Sequence, residues 1–157
     1  MDFAQAEALN GAIRTIAIKH RALAAAALSQ LGLHPGHEAV LLALDTYGPQ
    51  TQAQLADHAG CAPPSITGMV QKLQANGLVD RHPAPGNARA TIVELTDHGR
   101  ATLPRVKDLW VQLAADTVAA IPDPDLNHLT TTLAALADSL ARARLTGCEA
   151  PRPGAAR

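Results

Sequence analysis

The sequence predicts a mainly α-helical chain carrying one small β-hairpin. Three observations lead there. Alanine and leucine dominate both ends of the 157 residues, with 47% hydrophobic residues but only 2% aromatic, a composition that favours helix. Apolar residues recur at steps of three and four along most of the chain. One stretch breaks that period: "LVDRH" (78–82) and "TIVEL" (91–95) flank "PAPGNARA", a loop rich in Pro, Gly and Asn. At this length one domain with a useful core is the default.

Residues 4 to about 31 read as one long helix, because Leu9, Ile13, Ile16, His20, Leu23, Ala27 and Leu31 share a face. Gly32 fits its stop. Pro35 is placed to open a second helix with Val40, Leu41 and Leu44 on its apolar side, broken at Gly48-Pro49. "TQAQLADHAG" is a short helix capped by Thr51. Pro63 and Pro64 suit the first turn of the next helix, whose first N–H groups have no intrahelical partner anyway. That helix runs over 63–75 with Ile66, Val70 and Leu73 inward, and Gly77 suits its left-handed end. Pro85-Gly86 matches the central pair of a type II turn in the hairpin loop. Thr96 caps a further helix extending to Ile121, "PDPD" interrupts, and Leu126, Leu129, Leu133, Leu136 and Leu140 then form a heptad seam. The tail from 147 is rich in Pro, Gly and Ala and reads as flexible.

The net charge of −1 removes whole-molecule attraction to nucleic acid as an argument. Lys/Arg against Asp/Glu count three to four over 1–50, four to four over 51–100 and six to six over 101–157, so no segment is a basic tail. Cys61 and Cys148 lie too far apart in sequence for a disulfide framework or a zinc-knuckle spacing. The first residues lack a signal-peptide pattern, and the longest apolar run, "ALAAAAL", is far short of a membrane span, so a cytoplasmic setting without membrane contact is expected. No Gly-rich phosphate loop, H-E-x-x-H or G-x-S-x-G appears, and Asp57 and His58 point apart as helix neighbours. An enzyme is not expected.

A helix, a short helix, a turn, a bounded helix and a long-tipped hairpin form the order of a winged helix-turn-helix. On the helix from Pro63, the residues off the inner stripe are Ser65, Thr67, Gly68, Gln71 and Lys72. Hydroxyls and an amide bond base edges or phosphates, and the Thr67 methyl packs against thymine in a major groove wide enough to admit a helix. Gly68 removes bulk from that face. Asn87 and Arg89 stand on the hairpin tip, where an arginine enters a narrow minor groove. Lys72 and Arg81 are the phosphate-contact candidates.

The stretch "LADHAGCAPPSITGMVQKLQANGLVDRHPAPGNARATIVELTDHG", residues 55–99, resembles the winged helix-turn-helix of the MarR family of bacterial transcription regulators. It carries S-x-T, L-x-x-x-G-L-V and a wing close to D-x-R-x-x-x-x-x-L-T-x-x-G. The resemblance implies a dimerisation helix over 1–32, a DNA-binding region over 33–99 with recognition helix 63–75 and wing 78–95, and dimerisation helices over 100–146. It also implies a homodimer on a palindromic double-stranded DNA operator, repressing its own or a nearby gene and relieved by a small-molecule effector. Ser65, Thr67, Gly68, Gln71 and Lys72 match its DNA-facing positions, and Arg89 matches its wing arginine. Two departures stand out: Asn87 replaces the wing aspartate, giving up a charge-assisted hold on Arg89, and Gly68 replaces a larger residue. Both predict weaker anchoring. His20, His37, Leu41, Leu109, Trp110 and Leu113 fall on helices flanking the crevice where an effector is expected.

Two alternatives remain on the same fold. Cys61 precedes the recognition helix as a redox candidate, against the plainer reading of a small semi-buried thiol. His34 and His37 suggest metal sensing, but a zinc site wants four ligands, so no metal and no cofactor are expected. A helical interaction module without DNA explains the heptads and leaves the wing purposeless.

Overall fold

The computed structural model describes residues 1–60, 63–84 and 86–142, with the side chains of Pro63, Asn87, Ala88 and Arg89 left aside. The chain forms two compact units, one over 1–117 and one from Val118 onward. In the first, α1 (Phe3–Ser29) starts on Asp2, whose carboxylate accepts the Gln5 N–H at 2.8 Å while Gln5 Oε1 accepts the Asp2 N–H at 3.1 Å. Gly32, at φ 67°, lets the chain turn back, and Leu33 N–H bonds the Leu28 carbonyl at 3.0 Å. Of α1 only Ala24 and Leu28 are buried, whereas Leu9, Ile16 and Leu23 are 45%, 56% and 52% exposed.

Helix α2 (His37–Tyr47) begins two residues later than Pro35 predicts. Gly36 precedes it at φ 96°, beside Met69 of the recognition-helix candidate, and a Cβ there would lie 2.7 Å from Met69 Cε. Strand β1 (Gln50–Thr51) was not readable from the sequence. Its Thr51 caps α3 (Gln52–Ala59) through a capping box with Gln54. Helix α4 (Pro63–Ala75) has the expected bounds, and Leu78 N–H closes it onto the Leu73 carbonyl at 2.9 Å. Ile66, Val70 and Leu73 are fully buried, so the inner stripe is as read.

Strands β2 (Val79–Ala84) and β3 (Asn87–Leu95) pair antiparallel, with β1 on the far side of β3. Both outrun the expected segments: backbone pairing continues into the stretch read as loop, in register from Val79 opposite Leu95 to Pro83 opposite Thr91. The register then jumps to Ala84 opposite Asn87. Pro83 has no N–H to donate, and an irregularity of this kind is where sheets tolerate proline. Gly86 takes φ 76°, while Pro85, its proposed turn partner, lies outside the described residues.

Thr96 starts α5 (Asp97–Val118) as expected: its hydroxyl accepts the Gly99 N–H at 2.9 Å and donates to the Gly77 carbonyl at 2.6 Å. The helix stops three residues short of Ile121. Lys107 on α5 and Asp45 on α2 pair at 2.7 Å. The core of this unit gathers Leu28, Leu33, Leu41, Leu55, Ile66, Val79, Val93 and Val106 from α1 to α5 and the sheet. In the second unit, α6 (Leu126–Arg142) is capped by Asp125, whose carboxylate accepts the His128 N–H at 3.0 Å. None of its residues is buried, and Leu126, Leu133 and Leu140 are 56%, 48% and 59% exposed. No described helix is long and apolar enough to cross a membrane.

Candidate nucleic-acid interface

With its apolar stripe fixed in the core, α4 is left to display its polar residues. Ser65, Gln71 and Lys72 are exposed, and Thr67 and Gly68 are half-buried beside them. A Cβ added at Gly68 would meet nothing within 4 Å, so this position is open space. The Thr67 hydroxyl donates to Gln52 Oε1 on α3 at 3.2 Å, while Gln52 Nε2 is buried with no partner. An unmet buried donor of this kind costs about 1–3 kcal/mol. Gln52 was not singled out in the sequence. The capping box places it in the first turn of α3, but nothing local signals a partner fifteen residues away.

Arg81, on β2 opposite Val93, is half-buried, and its Nε is also buried without a partner. It lines a cleft of about 300 Å³ with Gln74, His82, Pro83 and Thr91, between the end of α4 and the hairpin. His82 in that cleft faces Glu94 across the strands at 3.6 Å. Among the described residues no ion pair involves Lys72 or Arg81. Asn87 and Arg89 lie at the start of β3, next to the turn, and their side chains fall outside the described residues, as does Cys61.

The effector-crevice residues do not come together. His37 and Leu41 are 2% and 0% exposed, because the inward face of α2 is filled by the core of the winged unit. His20 is exposed on α1 and Trp110 packs half-buried against the core. Of these six, Leu109 and Leu113 line a cavity of about 650 Å³ between the carboxy-terminal half of α1 and α5. Leu23, Ala26, Ala27 and Leu31 complete its apolar wall, with Gln30, Arg105, Asp108, Gln112 and Asp116 as polar groups.

His34 and His37 meet edge to face with ring centroids 5.4 Å apart, and the His34 N–H approaches His37 Nδ1 at 3.4 Å. Among the described residues no group of three or more His, Cys, Asp or Glu could hold a metal ion. Burial pushes the His37 imidazole down to about 4 from 6.5, and the His34 and Lys72 charges push the same way. An unfolded chain therefore takes up this proton before the folded one does. Stability from His37 is complete above pH 6.5 and is lost as pH falls through about 4, in total on the order of 3 kcal/mol. Burial raises Glu38 despite its bond from the Gly36 N–H, and this acts in the opposite sense in acid. Urea unfolding between pH 7.5 and 4.5 is expected to show a falling midpoint that His37→Gln flattens. An equal slope in both proteins would refute this account of His37.

The geometry matches known proteins. The MarR family model matches residues 33–91. The HTH-type transcriptional repressor NicR of Pseudomonas putida is 43% identical over 63 residues, 40% of this chain and 40% of its own length. The matched stretch thus spans well under half of that relative. A MarR mutant from E. coli, solved with operator DNA, superposes with a TM-score of 0.74 at 23% identity, over 87% of this chain and 99% of that one. BpsR of Bordetella bronchiseptica, whose structure concerns regulation of DNA binding by 6-hydroxynicotinic acid, gives 0.75 at 20% identity over 84% and 100%. At these identities the two structures establish the fold.

Proposed function

We propose that this chain, whose residues 33–91 match the MarR family model, is a transcriptional regulator rather than an enzyme and acts as a homodimeric repressor on a palindromic operator. The observation that carries the reading is α4: three fully buried residues hold it in the core while Ser65, Gln71 and Lys72 stand in solvent. Helix α4 enters the major groove, where Ser65, Thr67 and Gln71 meet base edges and Gly68 permits close approach. Lys72 and Arg81 meet phosphates. The β2–β3 wing takes Arg89 to the flanking minor groove, beside Asn87.

A second copy covers the exposed row Leu9, Ile16, Leu23 on α1 and the exposed row Leu126, Leu133, Leu140 on α6, both at steps of seven. The pairing supplies the two-fold axis that a palindrome requires. A small-molecule effector relieves repression from the cavity between α1 and α5, where an apolar wall meets polar groups, by changing the spacing of the two α4 helices. The protein works in the cytoplasm, where its operator is.

The test is fluorescence anisotropy against duplexes from upstream of the chain's own gene and from a genomic-fragment selection, at two salt concentrations. Selective binding is expected, with a shallow salt slope, since few cations face the DNA. Arg89→Ala is expected to weaken binding about tenfold or more, and Lys72→Ala to weaken all sequences evenly and reduce the slope by about one per contact. Failure to prefer any sequence over random DNA would reject the reading.

A further inference from the structure

The cavity of about 650 Å³ between α1 and α5 has two unlike walls. On α1 it meets Leu23, Ala26, Ala27 and Leu31, with Gln30 as the one polar side chain. On α5 it meets Leu109 and Leu113 together with every charge that lines it: Arg105, Asp108 and Asp116. The excess is one negative charge beside an apolar surface, an arrangement that concentrates ligands of the opposite sign.

Those charges are not spread evenly. Arg105 and Asp108 stand one turn apart, so their fields oppose each other, although no ion pair joins them among the described residues. Asp116 lies about 16 Å from Arg105 along the helix axis and keeps its charge at the other end. Its Oδ1 accepts the Gln112 amide N–H at 2.9 Å. That bond turns the Gln112 nitrogen to the carboxylate, which leaves the amide oxygen and Asp116 Oδ2 as acceptors. An ammonium has three donors and no acceptor, and it serves both. Leu31 and Arg105 also line a second cavity, of about 370 Å³, with Asn76, Leu78, His98 and Thr102. The two cavities adjoin there, and the second reaches the end of α4, where Asn76 follows Ala75.

We propose that the cavity takes a protonated amine with an apolar body. Its ammonium sits on Asp116 and Gln112, and its body lies along the α1 wall towards Leu31, the side from which it presses on the end of α4. A carboxylate of the same size meets the field with the wrong sign. This assignment rests on the reading of the cavity as the effector site, and it names the class of ligand that the site selects.

The probes are 2-phenylethylamine, 2-phenylethanol and 3-phenylpropionate, which share a body and differ in charge. Each is titrated into the full-length protein and followed by ligand-observed NMR. The amine is expected to bind about tenfold tighter than the alcohol, and the carboxylate more weakly than either. Asp116→Asn removes the charge at an exposed position and should bring the amine down to the affinity of the alcohol. Ala27→Phe fills the cavity and should lose all three. In the operator assay the amine should release DNA from the wild type and not from Asp116→Asn.

A carboxylate that binds as tightly as the amine overturns the assignment, as does an amine preference that survives Asp116→Asn. A protein that binds its operator but takes none of the probes overturns it too. An amine that binds without loosening the operator removes its role as effector. Selective uptake of the amine by a protein that enriches no DNA sequence would instead keep the site and remove the regulator reading.

Discussion

Gly99→Ala is expected to destabilise the winged unit by about 2 kcal/mol or more, against the direction that helix propensity predicts. Gly99 sits in the first turn of α5, where alanine is normally better than glycine by about 1 kcal/mol. The surroundings reverse that preference. A Cβ built on Gly99 would collide with the backbone carbonyl oxygen of Leu78, and it would lie 3.2 Å from Leu95 Cδ2. The carbonyl has no rotamer to escape into. Leu78 O already accepts the Thr96 N–H at 3.1 Å, and the Thr96 hydroxyl ties the same corner to Gly77. Relief therefore means moving α5 off the start of β2, which opens the core around Leu78, Leu95 and Leu103.

Gly68→Ala is the control for that prediction. It too lies within a helix, but nothing approaches its added Cβ within 4 Å, so it should gain up to about 1 kcal/mol of stability. Urea midpoints of the two variants should move in opposite directions. A Gly99→Ala midpoint at or above wild type would show that the corner yields, and the steric account of this glycine would be wrong.

What the sequence revealed was what a local pattern can carry. The inner stripe of α4, its stop before Gly77, and the caps at Thr51 and Thr96 each rest on residues within one or two turns, and the structure has all of them. The motif ending in Gly99 was visible too, but the reason for the glycine was not, since Leu78 comes within reach only when the hairpin folds back. Strand β1 is two residues long and has no periodicity to detect. The strands were read too short because Pro83 signals loop, whereas its tolerance depends on pairing with Thr91.

The candidate site divides the same way. The exposed face of α4 followed from helical spacing. The Gln52–Thr67 bond spans two helices and had no sequence signal. The effector residues were chosen by the helices they sit on, and spacing alone does not tell which face of α2 the core consumes. His37, read as flanking an effector crevice, is among the most buried polar groups of the winged unit.

Leu133→Asp is expected to convert the proposed dimer to monomers and to lower operator affinity by 100-fold or more. In a monomer the change would be nearly silent, because Leu133 is 48% exposed and substitutions at such positions usually shift stability by about 0.5 kcal/mol or less. At a two-fold seam it acts twice. Each copy loses the burial of a leucine, worth about 1.5–3 kcal/mol, and must hold a carboxylate in apolar surroundings. Even the burial alone gives about 3–6 kcal/mol for the pair, and each 1.4 kcal/mol is tenfold in association. Two unlinked half-site readers then bind DNA independently and lose the advantage of the shared axis. Ile16→Asp on α1 should act in the same way, since Ile16 is 56% exposed and lies seven residues from both Leu9 and Leu23. Sedimentation velocity at micromolar concentration separates the cases. A wild-type dimer that both variants dissociate, with circular dichroism unchanged, supports the seam on both helices. If Leu133→Asp alone dissociates it, α1 is not part of the interface. If the wild type itself sediments as a monomer, the exposed rows are solvated faces and the palindromic operator loses its structural basis.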